Sequence, residues 1–287
     1  MAGDQRADLV GWGFDSVVIS KRVCAIRLLG VLEREMKNHL FIASVCITFT
    51  SIMHAESFDS FEQAFVAPEK ATTLSITKYD PAIKHLPSQL GTLINLVELD
   101  ISCLENLEDL PSEIGNLKKL EKLIIDNGNG CQMNISVPES IGNLSNLKVL
   151  RLYGALDPTE SDTNKPISPS KVKSLPGTIG KLQNLEELDL GRNAMKGIPS
   201  QIASLQNLKK LALDFNDIHE LPPFVGNLKN LQELSVCSNG GIKLPKSLSN
   251  LNGLKIFMGN NQLKTKDQEK LRRLFPKATF SFENEYD

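Results

Sequence analysis

Apolar residues recur along this chain with a period of about 23 residues. In the segment that starts at Leu185, apolar side chains stand at offsets 0, 3 and 5, an Asn follows at offset 8, and an Ile-Pro pair comes later. The same pattern starts again at Leu208 and at Leu231, with Leu-Pro in place of Ile-Pro. A fixed period of this length is typical of a solenoid, in which each repeat buries its apolar side by stacking on its neighbours.

The same arrangement extends over residues 71–265 with less regular spacing. Eight repeats start at Ala71, Leu96, Leu120, Leu147, Leu185, Leu208, Leu231 and about Leu254. The third and fourth repeats carry insertions at about 127–136 and 154–173, whose Gly, Asn, Ser, Thr, Asp and Pro residues favour loops. We expect these insertions to lie side by side on one edge of the solenoid. After Leu254 the spacing shortens by one residue, which leaves the register of the last strand open by one position.

The segment before the repeats predicts a cap. In residues 56–70, Phe58, Phe61 and Phe65 have helical spacing, Asp59 and Glu62 form a cap-like pair, and a proline follows. We therefore expect an N-terminal capping helix there, because a solenoid must shield the open face of its first repeat from water.

The segment after the repeats predicts a second cap. Residues 266–287 form a C-terminal cap and tail, introduced by a capping box that starts at Thr265. Leu271, Leu274 and Phe275 then make an apolar helix face. Phe280 alternates with polar residues, which predicts a short closing strand.

Residues 1–55 do not follow the repeat. Residues 1–35 fit no register and are an unassigned leader, either disordered or upstream of the true start. Residues 36–55 have the form of a signal peptide, with a positive start at Met36, an apolar run over 40–53 and a cleavage site after Ala55. The alternative is an uncleaved anchor, although the run is short for the ~20 residues of a membrane span. Both readings place the repeats outside the cytosol, in a secreted, periplasmic or cell-surface protein.

Composition narrows the range of partners and cofactors. A formal charge of −2 with mixed signs argues against a nucleic-acid-binding protein, which usually carries a basic surface. The five cysteines form no CxxC pair, so neither a zinc site nor a disulfide framework is indicated. We expect no cofactor and no metal.

The repeats resemble a known superfamily. The segments LPSEIGNLKKL at 110–120, VPESIGNLSNL at 137–147 and LPGTIGKLQNLEELDLGRN at 175–193 follow the unit LPxxIGxLxxLxxLxLxxNxL. This unit is similar to that of the leucine-rich-repeat superfamily, and the caps look most like those of bacterial exported members. The resemblance implies an α/β solenoid, a horseshoe of about eight repeats with a parallel concave sheet. It also implies that Asn193, Asn216 and Asn239 turn inward and bond to adjacent coils.

The resemblance further implies that offsets 2, 4, 6 and 7 face the concave side. Eight strands give a face roughly 35 Å long, which suits a protein, peptide or glycan ligand. The candidate ligand-binding residues are Asp100, Asp126, Arg151, Tyr153, Asp189, Arg192, Asp214 and Phe215. Arg and aromatic residues are common among interface hot spots. Binding energy should therefore concentrate in a central cluster formed by Arg151, Tyr153, Asp189, Arg192, Asp214 and Phe215. We expect a monomeric, non-enzymatic recognition module whose mature repeat domain does not enter the membrane.

Two alternatives remain open at this point. A hydrolase or ligase would need a histidine beside a nucleophile. His85 and His219 lie five repeats apart, and neither can reach a cysteine or serine across that separation to form a hydrogen bond. An intracellular scaffold related to Ras-linked repeat proteins suits the repeats but not the apolar run at 40–53. An acidic segment at 157–164 offers candidate calcium ligands but lacks the Gly of an EF-hand loop.

Overall fold

A computed structural model describes residues 55–102, 104, 106–126, 135–155 and 175–283. Within them the chain forms one open sheet of parallel strands, arranged in sequence order from β1 to β10. The strands are β1 Glu56–Phe58, β2 Ala71–Ile76, β3 Glu98–Ile101, β4 Lys122–Asp126, β5 Val149–Tyr153, β6 Glu187–Asp189, β7 Lys210–Ala212, β8 Glu233–Ser235, β9 Lys255–Phe257 and β10 Thr279–Ser281. The fold is the predicted leucine-rich-repeat solenoid, with one strand per coil.

Each Pro of the repeated pair starts a short 3₁₀ helix on the opposite side of the coil. The described 3₁₀ helices are Ser88–Thr92, Ser112–Asn116, Glu139–Asn143, Gly177–Lys181, Ser200–Ser204, Pro223–Asn227 and Lys246–Asn250. The preceding proline has φ between −74° and −61° in all of them. Proline suits this position because its ring fixes φ near that value and its missing N–H would have no partner there.

Apolar side chains at offsets 0, 3 and 5 fill the space between the strands and the 3₁₀ helices. Leu185, Leu188 and Leu190 have no exposed surface, and the same holds or nearly holds for their counterparts in the other coils. Each buried leucine contributes about 1.5–3 kcal/mol. The predicted core positions are therefore confirmed, and they form one continuous core along the array.

The predicted ladder of buried asparagines is confirmed. The side-chain N–H of Asn216 donates to the Leu190 and Leu213 carbonyls at 3.0 and 2.9 Å, and its Oδ1 accepts from the backbone N–H of Asn193 at 3.1 Å. Asn239 and Asn261 make equivalent bonds in the next two coils. The chain bends away from the sheet after each strand, so its backbone N–H and C=O groups no longer form hydrogen bonds with a neighbouring strand. The asparagine side chains provide hydrogen-bond partners for these groups instead.

A second asparagine ladder runs along the outside of the solenoid, just before the strands. Its members each donate to a backbone carbonyl of the preceding coil at 2.7–2.8 Å: Asn95, Asn146, Asn184, Asn207 and Asn230. The sequence reading did not separate this ladder from surface residues, although the recurring Leu-x-Asn-Leu spacing carries its signal.

The glycine of the IGxL motif allows the 3₁₀ helices of adjacent coils to touch. A Cβ on Gly115 would lie 2.7 Å from the Ser140 carbonyl oxygen of the next coil. Gly226 is still tighter, since its Cβ would overlap the Ser247 backbone. A side chain at these positions would force the coils apart. The close packing between them would then be lost, and the fold would be less stable.

The N-terminal cap differs in part from the prediction. Glu56–Phe58 forms strand β1, which pairs with β2, and the helix is shorter than expected: α1 is Phe61–Val66. Phe58 therefore belongs to a strand, because its backbone bonds extend the sheet. The expected Asp59–Glu62 cap pair is also wrong, since the Ser60 hydroxyl accepts the Gln63 N–H at 3.3 Å. The three phenylalanines still pack on the core, as expected of a cap.

The C-terminal cap consists of helix α2, Thr265–Leu274, and strand β10. The expected capping box is wrong: Lys264 is the N-cap, no side chain caps the helix, and Gln268 donates instead to the Leu263 carbonyl. Phe275 is buried, but Leu274 remains 49% exposed, so the apolar face is narrower than predicted. The closing strand is present, and Arg272 lies over the Phe282 ring at 4.8 Å.

The register of the last strand is settled by pairing. Ile256 pairs with Leu234 and Phe257 with Ser235, while Leu254 remains fully buried. The missing residue therefore lies between Leu254 and Ile256.

The leader, the signal-peptide segment, most of both insertions and the 157–164 segment lie outside the described residues. Among the residues that are described, no helix has the length and apolar character of a membrane span.

Candidate functional site

The concave side presents side chains in rows across the sheet, because parallel strands pair in register. One row, the central row, comprises Arg151, Asp189, Ala212, Ser235 and Phe257, paired in this order across β5 to β9. A second row, the charged row, lies two residues earlier on β6 to β9 and comprises Glu187, Lys210, Glu233 and Lys255. Residues two apart on a strand share a face, so both rows lie on the concave side.

Arg151 is the centre of the predicted cluster. Its guanidinium lies 3.9 Å from Asp126 Oδ2, 3.5 Å from Glu187 Oε1 and 3.3 Å from Asp189 Oδ2. The Nε that faces Asp189 is buried and lacks the alignment of a hydrogen bond. One cation thus pairs with three carboxylates on the two strands that flank β5, and the sequence had singled out two of them, Asp126 and Asp189.

Asp189 is a carboxyl of this cluster whose pKa is raised by its surroundings. Burial raises its pKa to about 6, although a 2.9 Å hydrogen bond from the Gly191 N–H and the charge of Arg151 both act to lower it. A desolvated carboxylate favours its neutral form unless a cation is close. The pKa of Asp189 therefore depends on any charge that enters the concave side.

Tyr153 lies against the backbone of the next coil. A Cβ on Gly191 would be 2.7 Å from the Tyr153 ring, so the missing side chain makes room for the aromatic ring. Burial raises the pKa of the Tyr153 phenol, while the charge of Arg192 lowers it. The ring is half-buried, which leaves one part of it on the concave surface beside Asp126 and Asp189.

Asp214 differs from the other candidates because it is only 4% exposed. Its Oδ1 accepts the Ser235 hydroxyl and the Cys237 N–H, both at 2.6 Å. These bonds join two coils, so Asp214 has a structural role that the sequence reading did not foresee. Its role in binding stays a prediction.

Arg192 and Phe215 stand where the chain leaves the sheet. Both have left-handed backbone conformations, with φ of 57° and 55°, as does Ser238 in the next coil. The backbone N–H of Arg192 donates to the Asp214 carbonyl and that of Phe215 to the Cys237 carbonyl, at 2.8 and 2.9 Å. Non-glycine residues adopt this conformation rarely, and here the coil-to-coil bonds hold it in place.

Asp100 is not part of the same cluster. It lies on β3, accepts a 2.7 Å hydrogen bond from Ser102 and pairs in register with Ile124. Ile124 is only 8% exposed and separates Asp100 from Arg151 along the sheet. The other seven candidates lie on β4 to β7 and the turns after them.

A groove opens beside the cluster on the concave side. It encloses about 250 Å³ and is lined by Arg151, Glu187, Leu188, Asp189, Lys210, Leu211, Ala212, Asp214, Glu233, Ser235 and Phe257. Ala212 and Ser235 form its floor because they are the smallest residues of the central row. Arg151 on β5 and Phe257 on β9 stand at its two ends, four strand spacings or ~19 Å apart.

The sequence reading missed several groove residues. Glu187, Lys210 and Glu233 occupy offset 2, which faces the ligand side in the repeat pattern but was not read across the coils. Phe257 was missed because the register of the last strand was open. In the structure Glu233 lies 3.4 Å from Lys210 and 3.3 Å from Lys255. At the β9 end, the residues of the charged row therefore form ion pairs with one another.

The two histidines and the buried cysteine of the described residues lie in different surroundings. His85 and His219 are exposed and lie 3.1 and 3.6 Å from Asp109 and Asp217, respectively. Burial raises the pKa of the Cys237 thiol to about 11, which suppresses the reactive thiolate. No cluster of three or more His, Cys, Asp or Glu residues suited to a metal ion occurs within the described ranges.

Comparison with known proteins supports the repeat assignment. The family model described as "Leucine-rich repeat region" matches residues 166–277. No curated protein matches the sequence significantly.

Solved structures with a related fold include a plant peptide hormone receptor, RGFR1, in complex with RGF2. It is 23% identical, with a TM-score of 0.47, and the match covers 70% of this chain but only 30% of the receptor chain. Internalin InlF from Listeria monocytogenes is 19% identical over 79% of this chain and 72% of its own, with a TM-score of 0.46. Internalin C2 from the same organism is 20% identical over 75% and 83%, with a TM-score of 0.48. The family match identifies the repeats within residues 166–277 as leucine-rich repeats, and the parallel sheet continues through the coils that precede them, so the fold is a leucine-rich-repeat solenoid.

Proposed function

We propose that this chain is a non-enzymatic recognition module that binds a protein or peptide through the concave side of its sheet. The observation that carries the proposal is the groove over β5 to β9, which is open, about 250 Å³ in volume and lined by both charged and apolar side chains. Binding sites commonly combine a concave shape with a few polar groups that fix orientation. Of the candidate residues, Arg151, Asp189 and Asp214 line it.

The test fills the groove without disturbing the buried core. The purified full chain would be used to select binders from a display library of random 12-residue peptides. Ala212→Trp places a large side chain on the groove floor, while Lys229→Trp adds the same side chain at an exposed position outside it. We expect the selected peptides to lose binding to Ala212→Trp and to keep binding to Lys229→Trp. Peptides that bind both variants equally, or a selection that yields no binder, would contradict the proposal.

We further propose that the protein is exported. The proposal rests on the positive start at Met36, the apolar run at 40–53 and the acidic residues that follow. An intracellular scaffold is the alternative, and it predicts a different N-terminus. Sequencing the N-terminus of the natural protein distinguishes the two: Glu56 supports export with cleavage, whereas Met1 or Ala2 supports an anchored or cytosolic form.

A further inference from the structure

Charge is distributed unevenly along the groove. Four carboxylates line it, Glu187, Asp189, Asp214 and Glu233, against two cationic side chains, Arg151 and Lys210. At the β9 end, Glu233 lies between Lys210 and Lys255, so its charge is balanced within the sheet. At the β5 end, the single guanidinium of Arg151 lies within 4 Å of Asp126, Glu187 and Asp189. Negative charge therefore concentrates around β6.

The groove also has a defined shape. Along the central row, Asp189 is followed by the small residues Ala212 and Ser235 and then by the half-buried ring of Phe257. Two small residues between a carboxylate and an aromatic ring leave a depression of about 14 Å from Asp189 to Phe257. An aliphatic chain fits on such a floor, with a charged group at one end and an apolar group at the other.

We propose that the groove binds an extended peptide that places a lysine or arginine side chain against Glu187 and Asp189, with its aliphatic part over Ala212 and a neighbouring apolar residue on Phe257. This inference rests on the proposed function of the concave side and adds the chemistry of the ligand. An acidic peptide would meet four carboxylates in the same space, and like charges at short range oppose binding. A cation from the ligand adds positive charge where Arg151 alone is shared among three carboxylates.

Asp189 forms the strongest interaction with the cationic group of the ligand. Burial has already removed much of the water around this carboxylate, as its raised pKa shows. A cation that arrives there displaces little additional water from the carboxylate and forms a charge-assisted hydrogen bond in a partly dry site. Bringing the cation close also favours the ionised carboxylate, so cationic ligands should bind more tightly at pH 7 than at pH 5.

The test uses peptides from the selection whose binding is lost in Ala212→Trp. We expect each to contain a Lys or Arg beside an aliphatic or aromatic residue. Replacing that Lys or Arg by norleucine should weaken binding at least tenfold. Asp189→Asn should weaken the parent peptide about tenfold but the norleucine peptide far less, which shows direct coupling in a double-mutant cycle. Glu139→Gln, at an exposed position on the opposite side of the coil, should change neither affinity.

The outcomes separate the inference from the proposed function. Groove-dependent peptides that lack a cationic residue would overturn the inference while leaving concave-side binding intact. Cationic peptides whose affinity shows no coupling to Asp189 would also overturn it. Peptides that bind independently of Ala212→Trp, or no binders at all, would overturn both. Thermal unfolding of each variant at neutral pH verifies that an affected variant is folded.

Discussion

Asn216 lies in the interior of the coils and Asp189 on the concave side, and the surroundings of these two polar residues compensate them differently. Every polar atom of the Asn216 side chain has a partner in its own or a neighbouring coil. Asp189 has one backbone donor and a share of one guanidinium. A buried polar group is stable when it is fully bonded and costly when it is not. The first residue therefore stabilises the fold, while the second reduces stability and remains available to a ligand.

The inner asparagines should be far more important for stability than the outer ones. In Asn216→Ala, the backbone N–H groups of Asn193 and Met195 lose their acceptor inside the core. Each buried, unsatisfied N–H costs about 1–3 kcal/mol, so we expect a loss of about 3 kcal/mol in the free energy of unfolding. The control is Asn207→Ala on the outer ladder, where the exposed Gln183 carbonyl can bond to water instead. Urea unfolding followed by circular dichroism measures both, and equal losses would contradict the expectation.

Asp189 should make stability depend on pH. Its pKa is about 6 in the folded chain and 3.8 in the reference state, so the folded state binds more protons between these values. Unfolding free energy then falls as pH rises from about 4 to about 6, by at most about 3 kcal/mol from this residue. Asp189→Asn removes this contribution. We expect the variant to gain stability relative to the wild type between pH 4 and pH 7, as measured by urea unfolding at each pH. A difference that stays constant with pH would exclude this role.

Each coil is a structural unit of the solenoid, and adjacent coils contact each other through strands, turns and 3₁₀ helices. The strands pair on one side, the asparagines bond at the turn, and the 3₁₀ helices pack on the far side through the glycine of the IGxL motif. Two coils depart from this rule, since Ala203 and Ser249 stand where the others have glycine. The 3₁₀ helices Ser200–Ser204 and Pro223–Asn227 pack less closely than the pair Pro223–Asn227 and Lys246–Asn250.

The glycines of this motif should resist even the smallest substitution. In Gly115→Ala, the new Cβ would lie 2.7 Å from the Ser140 carbonyl oxygen, so the two coils must separate. Overpacking of this kind typically costs about 1–3 kcal/mol. Gly197→Ala is the matched control, because no atom lies within 4 Å of its Cβ position. We expect Gly115→Ala to lower the urea midpoint and Gly197→Ala to leave it unchanged or raise it slightly. Equal midpoints for the two variants would contradict this account.

At the scale of the whole molecule, each coil contacts only its neighbours, so the caps protect the core locally. Phe275 is 4% exposed and closes the last coil, whereas Leu274 beside it is 49% exposed. Phe275→Ala should cost about 3–5 kcal/mol and Leu274→Ala less than about 1 kcal/mol. Because solenoid stability is nearly one-dimensional, the loss should appear first in β8 and β9. Hydrogen exchange should show weaker amide protection there and unchanged protection in β3 and β4. Uniform loss along the array would argue against local protection by the cap.

The repeat pattern could predict the fold because Leu, Asn and Pro recur at fixed spacing. Burial and backbone hydrogen bonding alone determine where these three residue types are needed in each coil. Leu185, Leu188, Leu190 and Asn193 were correctly placed for this reason. The caps were predicted less well, since Phe58 suits either a helix or a strand until its pairing with β2 is known. A cap occurs once per chain, so no neighbouring repeat fixes its register.

The candidate site was only partly predictable, because it depends on side-chain size across several strands. Asp126, Arg151 and Asp189 were chosen from the repeat and do lie together. The groove, however, arises from the small residues Ala212 and Ser235, and its far end needs Phe257, whose register was open. Burial of Asp214 was also not visible, since its partners come from the following coil.

The longest insertion leaves the sheet in register. Val149 on β5 pairs with Glu187 on β6 although 38 residues separate them, against 23 for Glu187 and Lys210. The entropy of closing a loop grows only with the logarithm of its length, so the added segment costs about 0.4 kcal/mol. Neighbouring strands come from adjacent repeats, so each coil packs on the one that precedes it in the chain. We expect folding to propagate coil by coil, with the junction between β5 and β6 as the slowest step, because the connection between paired strands is longest there.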